Sequence, residues 1–394
     1  MTTSDLVEIP FLNTYQRRTA LTDQSSEVGI DGLHLPLLGL YGEVGSLLSA
    51  LKKKRRDQNA YLDYEDAILE EFGDVLWYFS NIAFRAGLDL SVLGQRVARD
   101  ISDWDETGPY EFATFGDVSP HEAGKHDPEG PGFEQMLFEL AGKVGRLLDD
   151  VAQGRIRNNR DALAAHLVEI FRSLAAAAWQ ANVDLDEAAR RNILKTQSRW
   201  PIKKVYPPLF DIDDDEEERL PRVVTLDVLE RKSGSKAYVR LKCNGINIGD
   251  RLTDNRADQD DYRFHDVFHL AYAAVLGWSP VMRALFKVKR KSNSQIDENE
   301  DGARAVLVEE GISTWIFNHA TKLNYFDGIA HLDYPLLKAI GRQVSGYEVE
   351  KCPLWMWEKA IFDGYDVFRN LRKYRKGTVT ANLNERTISF MRSA

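Results

Sequence analysis

The sequence predicts a mainly α protein: a bundle built from two related helical units, then a mostly helical C-terminal domain containing a small β-hairpin. Three observations lead there. Apolar residues recur three and four apart over long stretches of the first half. A motif at residue 41 returns at residue 141. Beyond residue 222, one short alternating stretch with an Asn-Gly turn interrupts otherwise helical spacing.

In chain order, Leu37, Leu40, Tyr41, Val44, Leu47, Leu48 and Leu51 write the apolar stripe of one helix, and Lys52 to Arg56 suit its C-terminal end, where the helix dipole favours cations. Ile68, Leu69, Phe72, Val75, Leu76, Phe79, Ile82 and Ala83 write a second helix, with Gly87 as its stop. Residues 107–132, dense in Gly and Pro, read as a connection. Beyond it, YGEVGSLL of residues 41–48 reappears as AGKVGRLL at 141–148. Ala86-Gly87-Leu88-Asp89-Leu90 then matches Ala181-Asn182-Val183-Asp184-Leu185, so the offset falls from 100 to 95 and a five-residue deletion separates the copies' helices. Residues 1–106 and 133–205 are therefore expected to be two copies of one unit, packed as a pseudo-dimer around a shared core.

A second connection spans residues 201–221. All but one of its residues from Asp211 to Glu218 are acidic, which reads as a solvated, self-repelling linker. The domain expected over residues 222–394 opens with the alternation Ala237-Tyr238-Val239-Arg240-Leu241 and a turn at Asn244-Gly245. Helices follow at 262–276 and 303–321 and around Leu336 and Phe362.

Across all 394 residues, 43% are hydrophobic and 28% charged, the balance of a soluble globular chain rather than a disordered one. No apolar run reaches the roughly 18 residues of a membrane span, and MTTSDLVEIP lacks the basic and apolar segments of a leader. The expectation is a cytoplasmic protein without a membrane partner. Cys243 and Cys352 alone make no disulfide scaffold. A net charge of -10 argues against nucleic acid as a partner. Clustered acids can still serve small polyanions, because carboxylates that hold magnesium turn a repulsive site into one attractive to phosphates.

Glu43 lies beside the stripe of the first helix, and Glu71 and Asp74 stand three residues apart on one face of the second. Like charges so placed oppose the helix, and a bound cation removes the conflict; alternatively the pair is neutralised by nearby Lys or Arg on a solvated face. The wider pattern resembles the MazG-like, all-α nucleoside triphosphate pyrophosphohydrolases. The resemblance rests on Tyr15-Gln16, LGLYGEVGSLLSALKK from Leu38 and EEFGDVLWYFSNIAFRAGLDL from Glu70. It covers about the first half of the chain and implies a tandem MazG-like bundle in which Glu43, Glu71 and Asp74 are magnesium ligands. One position departs: where the family has GEVGE, this chain has Gly-Glu-Val-Gly-Ser. Glu70, Asp66 or water replaces the missing ligand at Ser46, or else the domain binds nucleotides without cleaving them.

The second copy has lost the acids. Lys143 and Arg146 replace Glu43 and Ser46, and His166 and Glu169 align with Glu71 and Asp74. Its tail, Asn192 to Pro201, instead resembles the family's Asn-x-x-Lys and Arg-x-Pro ending, where the first copy has Val97 and Asp100. The resemblance thus implies one composite site, with acids from the first copy and Asn192, Lys195 and Arg199 from the second contacting a nucleoside triphosphate. Glu70, adjoining Glu71 without being needed as a ligand, is the candidate to orient the attacking water.

In the C-terminal domain, His265 and His269 stand one turn apart, a spacing that lets both imidazoles face one metal, with Glu309 and Glu310 on a later helix to complete it. Asp266 sits where a metalloprotease HExxH would place its glutamate, and its shorter side chain argues against that chemistry. The histidines hold a transition metal or are hydrogen-bonded core residues. The basic run Arg283 to Asn293 is either a solvated counterpart of Asp297 to Asp301 or an anion site. The expected function is that of a magnesium-dependent nucleoside triphosphate pyrophosphohydrolase, as a homo-oligomer or a single chain, serving nucleotide-pool cleaning or defence. The rivals are a degenerate nucleotide sensor coupled to a C-terminal effector, and a metal-dependent enzyme in the C-terminal domain.

Overall fold

The computed structural model describes residues 9, 11–24, 30–100, 113–120, 126–156, 159–234 and 236–393. They form two compact units, Met1–Lys203 and Lys204–Ala394. The first contains α1 (Leu12–Thr22), α2 (His34–Asp57), α3 (Tyr64–Arg85), α4 (Leu90–Ala98), α5 (Phe115–Val118), α6 (Pro131–Ala152), α7 (Arg160–Gln180) and α8 (Leu185–Arg199). The apolar stripes point inward: Leu37, Leu40, Val44, Leu47 and Leu51 of α2 are buried, whereas Tyr41 is exposed. From α3 the core receives Ile68, Phe72, Val75, Leu76, Phe79 and Ile82, with Phe79 against Phe171 of α7. α7 is long and apolar enough to cross a membrane, but its Leu163, Leu167, Ile170 and Phe171 fill this core.

Asp89 and Asp184, aligned in the two copies, each accept a backbone N–H two residues on and so start α4 and α8. The packing is reciprocal. α2 lies on α3 and α6 on α7, while α8 packs on α3 and α4 on α7, so each triplet's last helix rests on the other's middle helix. The α3–α8 approach is close because residue 73 is glycine: a Cβ there would stand 2.7 Å from the Ala188 carbonyl oxygen and 3.0 Å from Asn192 Cβ. The expected end of the first copy, residue 106, lies outside the described residues. Within the connection at 107–132, Phe115 and Val118 of α5 are buried, and a reciprocal pair of bonds between Thr114 and Asp117 caps the turn.

The second unit contains β1 (Val223–Ser233), β2 (Lys236–Cys243), β3 (Ile246–Leu252), α9 (Asp266–Leu276), α10 (Pro280–Phe286), α11 (Ser294–Asn299), α12 (Ala303–Ala320), α13 (Tyr334–Gln343), α14 (Leu354–Tyr374), β4 (Lys376–Asn382) and β5 (Thr387–Met391). β2 and β3 are the hairpin, turning through Asn244 and Gly245 at φ values of 50° and 80°. The sheet is larger than a hairpin: all neighbours are antiparallel in the order β3-β2-β1-β4-β5. Leu226 pairs with Cys243 on one side and Val379 on the other. α9, buried along its whole length, packs with α14 against β4 and β5.

The acidic segment is not a solvated linker at its first residue. Asp211 is 1% exposed and accepts bonds from the Leu220 backbone N–H at 2.8 Å, Arg222 Nη1 at 2.8 Å and Arg283 Nη2 at 2.9 Å. In the basic run Lys287 and Lys291 are exposed, but Arg283 and Arg290 are buried and already occupied by acids of this unit. Arg290, buried, donates to both oxygens of Asp301 and both of Glu348, and Ser292 bonds Glu218. Asp301, 11 residues on, belongs to the local charge pattern, whereas Glu348, 58 residues from Arg290, and Asp211, 72 residues from Arg283, supply compensation that pattern does not reveal.

Candidate functional site

α2 presents Glu43 to Glu71 and Asp74 of α3, and one carboxylate oxygen from each lies within 4.8 Å of the others. All three are half-buried, which makes simultaneous ionisation unfavourable. Burial, then the charge of Asp74, raises the Glu43 carboxyl above its ordinary range. Burial, its hydrogen bond with Glu43 and the surrounding carboxylates push Glu71 up to about 8. Ser46, one turn on from Glu43, hydrogen-bonds that carboxylate.

The third helix of the other triplet meets this cluster. Asn192 Nδ2 donates to Asp74 Oδ1 at 2.8 Å, and Lys195 Nζ donates to both Asp74 oxygens and to Glu70 Oε1 at 3.3 Å. Burial raises Asp74, partly offset by Lys195; burial opposes the charge on Lys195, yet Asp74 and Glu70 hold its pKa above the usual lysine value. Arg199 lies with its guanidinium 4.3 Å from the Trp200 ring. Asp66 pairs at 2.9 Å with Arg191 and is mostly exposed, so it does not replace the missing glutamate. Tyr15 and Tyr78 line the cluster without having been singled out for a role. The Tyr15 hydroxyl, fully buried and without a hydrogen-bond partner, is raised by burial and by Asp74. Tyr78 is raised by burial and by Glu43 and Asp74, and its ring covers Gly39 of α2. Its position four residues after Asp74, on the same helix face, was the available signal.

The aligned positions in the second triplet are arranged differently. Lys143 Nζ donates to Glu169 Oε2 at 3.1 Å, Arg172 also binds Glu169, and His166 Nε2 lies 2.6 Å from Asp150 Oδ2. Protein cations there do what a metal would do for acids: although burial opposes it, Lys143 and Arg172 lower the Glu169 carboxyl. Lys143, Arg146, Ala162, Ala165, His166 and Glu169 line a cavity of about 370 Å³.

In the second unit, ligand atoms of His265, Asp266 and His269 lie within 4.8 Å of one another, and all three residues are buried. His269 Nδ1 is 2.8 Å from Glu309 Oε1; Glu309 also accepts from Ser279 Oγ at 2.7 Å and the Val281 N–H at 2.9 Å. Glu310 Oε2 stands 3.5 Å from His269 Nε2, on the half-exposed rim. His265 Nδ1 is 2.9 Å from the Tyr262 carbonyl, and the two rings stack at 4.3 Å. Asp266 therefore belongs to the cluster, whereas Glu309 sits behind it. A larger cavity, of about 490 Å³, is lined by Gln295, Glu298, Arg304 and Tyr347 among others.

Residues 205–394 match the family model described as the MazG C-terminal domain. The chain is also similar to the Gene 37 protein of Mycobacterium phage L5, 36% identical over 81 residues, which are 20% of this chain and 71% of the phage protein. No solved structure gives a significant match.

Proposed function

The chain belongs to the MazG-related proteins, and from that premise we propose that its first unit is a magnesium-dependent nucleoside triphosphate pyrophosphohydrolase with a nucleotide-pool or defence role. The observation that carries the reading is the convergence of Glu43, Glu71 and Asp74 in one half-buried cluster, where burial and the neighbouring carboxylates raise the Glu43 and Glu71 carboxyls. Such a set of oxygen donors fits magnesium, which takes carboxylates and water and bridges to phosphates. These three residues would hold the ion, and its chemistry would be to neutralise phosphate charge and acidify a water.

The chain's own groups supply the rest. Lys195 brings a positive charge to the triphosphate, and Asn192 fixes the orientation of Asp74 through its amide. Glu70 takes the proton of the attacking water. The new bond joins water oxygen to the α-phosphorus, the bond to the bridging oxygen breaks, and the products are a nucleoside monophosphate and pyrophosphate. The second triplet, with Lys143 already neutralising Glu169, acts as scaffold and as donor of α8.

A second reading is favoured by Ser46, whose hydroxyl bonds Glu43 where the family carries a further carboxylate: the unit senses nucleotides without cleaving them. Incubating the full chain with each nucleoside triphosphate and magnesium separates the two. Monophosphate and pyrophosphate in equal amounts support the hydrolase. Saturable binding with no product supports the sensor.

A further inference from the structure

We propose that His265, Asp266 and His269 at the start of α9 bind a divalent first-row transition metal, at a site independent of the carboxylate cluster in the first unit. The three residues occupy positions i, i+1 and i+4, so the helix presents them on one side, and their donor atoms already lie within 4.8 Å of one another. Two donors that share an ion at about 2.1 Å stand at most about 4.2 Å apart, so small side-chain adjustments close the site.

Both imidazoles are oriented from behind. The Tyr262 carbonyl can only accept, so His265 Nδ1 carries the proton and its Nε2 lone pair faces inward. Glu309 likewise accepts from His269 Nδ1, and is itself fixed by Ser279 and the Val281 N–H. A carboxylate or carbonyl behind each ligating histidine is the outer arrangement that metal sites use to fix tautomer and ring direction. The inward atoms are then left in conflict. His265 Nε2 stands 3.3 Å from Asp266 Oδ1, two electron-rich atoms face to face. His269, with none of its side chain exposed, has for its Nε2 only the rim carboxylate of Glu310, at a long 3.5 Å, among the described residues. A cation among these atoms would engage both Nε2 nitrogens and neutralise the carboxylates of Asp266 and Glu310 that face them.

The donor set also selects the ion. Two imidazole nitrogens with one or two carboxylates suit zinc, iron, cobalt or manganese, whereas magnesium and calcium prefer oxygen alone. Glu310, with 38% of its side chain exposed, stands at the rim of the site beside His269.

The test uses the full chain, freed of any purification tag, stripped with chelator and dialysed against Zn²⁺ or Co²⁺. Expected is one tightly held equivalent per chain, with visible Co²⁺ absorption bands, in the wild type and equally in Glu71→Gln. His265→Gln with His269→Gln should abolish both signals. Asp266→Asn, which preserves shape and so guards against misfolding of the histidine variant, should lower affinity at least tenfold; Glu309→Gln should lower it about 10- to 100-fold. Failure of the wild type to retain the ion, or equal retention in wild type and Asp266→Asn, overturns the proposal. Loss of nucleotide cleavage in Glu71→Gln without loss of Co²⁺ keeps the two sites separate.

Discussion

Lys195 of α8 donates to both carboxylate oxygens of Asp74 of α3, across 121 residues of sequence. One triplet supplies the acid and the other the base, because each triplet's third helix packs on the partner triplet's second helix. On the reciprocal side, where α4 packs on α7, Asp100 just beyond α4 pairs with Arg172 of α7 at 3.3 Å, while Glu169, the counterpart of Asp74, is bound by Lys143 and Arg172.

Glu71→Gln and Asp74→Asn should each abolish triphosphate turnover, because each removes charge from the set that holds the ion while preserving side-chain shape. Product formation and far-ultraviolet circular dichroism check this together. Near-wild-type rates at saturating magnesium would reject the assignment.

Lys195→Ala should weaken binding of a non-hydrolysable triphosphate by about 2 to 5 kcal/mol, since a partly buried charge pair loses one member. Calorimetric titration with magnesium should give one equivalent per chain in the wild type. Two equivalents, or an unchanged affinity in the variant, would make the second triplet scaffold only.

Gly73→Ala is a packing test of the same site. The added methyl would meet the Ala188 carbonyl oxygen at 2.7 Å, a backbone atom that cannot rotate aside, so α8 must move off α3. The cost should be about 1 to 3 kcal/mol in urea unfolding. Because Asn192 and Lys195 ride on α8, triphosphate affinity should fall as well; a variant as stable and as active as wild type would show that α8 is not needed at the cluster.

Asp211 gives the second unit an acid limit. Burial opposes its charge, but the Leu220 N–H, Arg283 and Arg222 hold its carboxyl below the ordinary aspartate range. Since the folded value lies below the unfolded one of about 3.9, its contribution is complete above that pH and is lost as pH falls through the folded value. Asp211→Ala, which leaves Arg283 buried without this partner, should destabilise the unit by about 3 to 5 kcal/mol at neutral pH and flatten the stability decline below about pH 4. Urea midpoints measured against pH test both statements. Equal midpoints at neutral pH would show the ion pair to be dispensable.

The sequence by itself determined the parts of the protein governed by local rules. The period of Leu37 to Leu51 and of Ile68 to Ala83 gives two helices whose inward faces are the buried ones, and Asn244-Gly245 gives a hairpin turn, because helix periodicity and turn dihedrals depend on neighbouring residues alone. The proximity of Glu71 to Asp74 and of His265 to His269 was legible for the same reason. What tertiary structure alone decided is every relationship that joins distant segments. β4 and β5 gain their place from β1, some 150 residues earlier. Asp211 is buried because Arg283, 72 residues on, reaches it. Asp266 rather than Glu309 faces the inward histidine nitrogens, since Glu309 approaches His269 from the Nδ1 side. Charge and hydrophobicity along a chain state what each segment must compensate, but the compensating partner is chosen by packing in three dimensions.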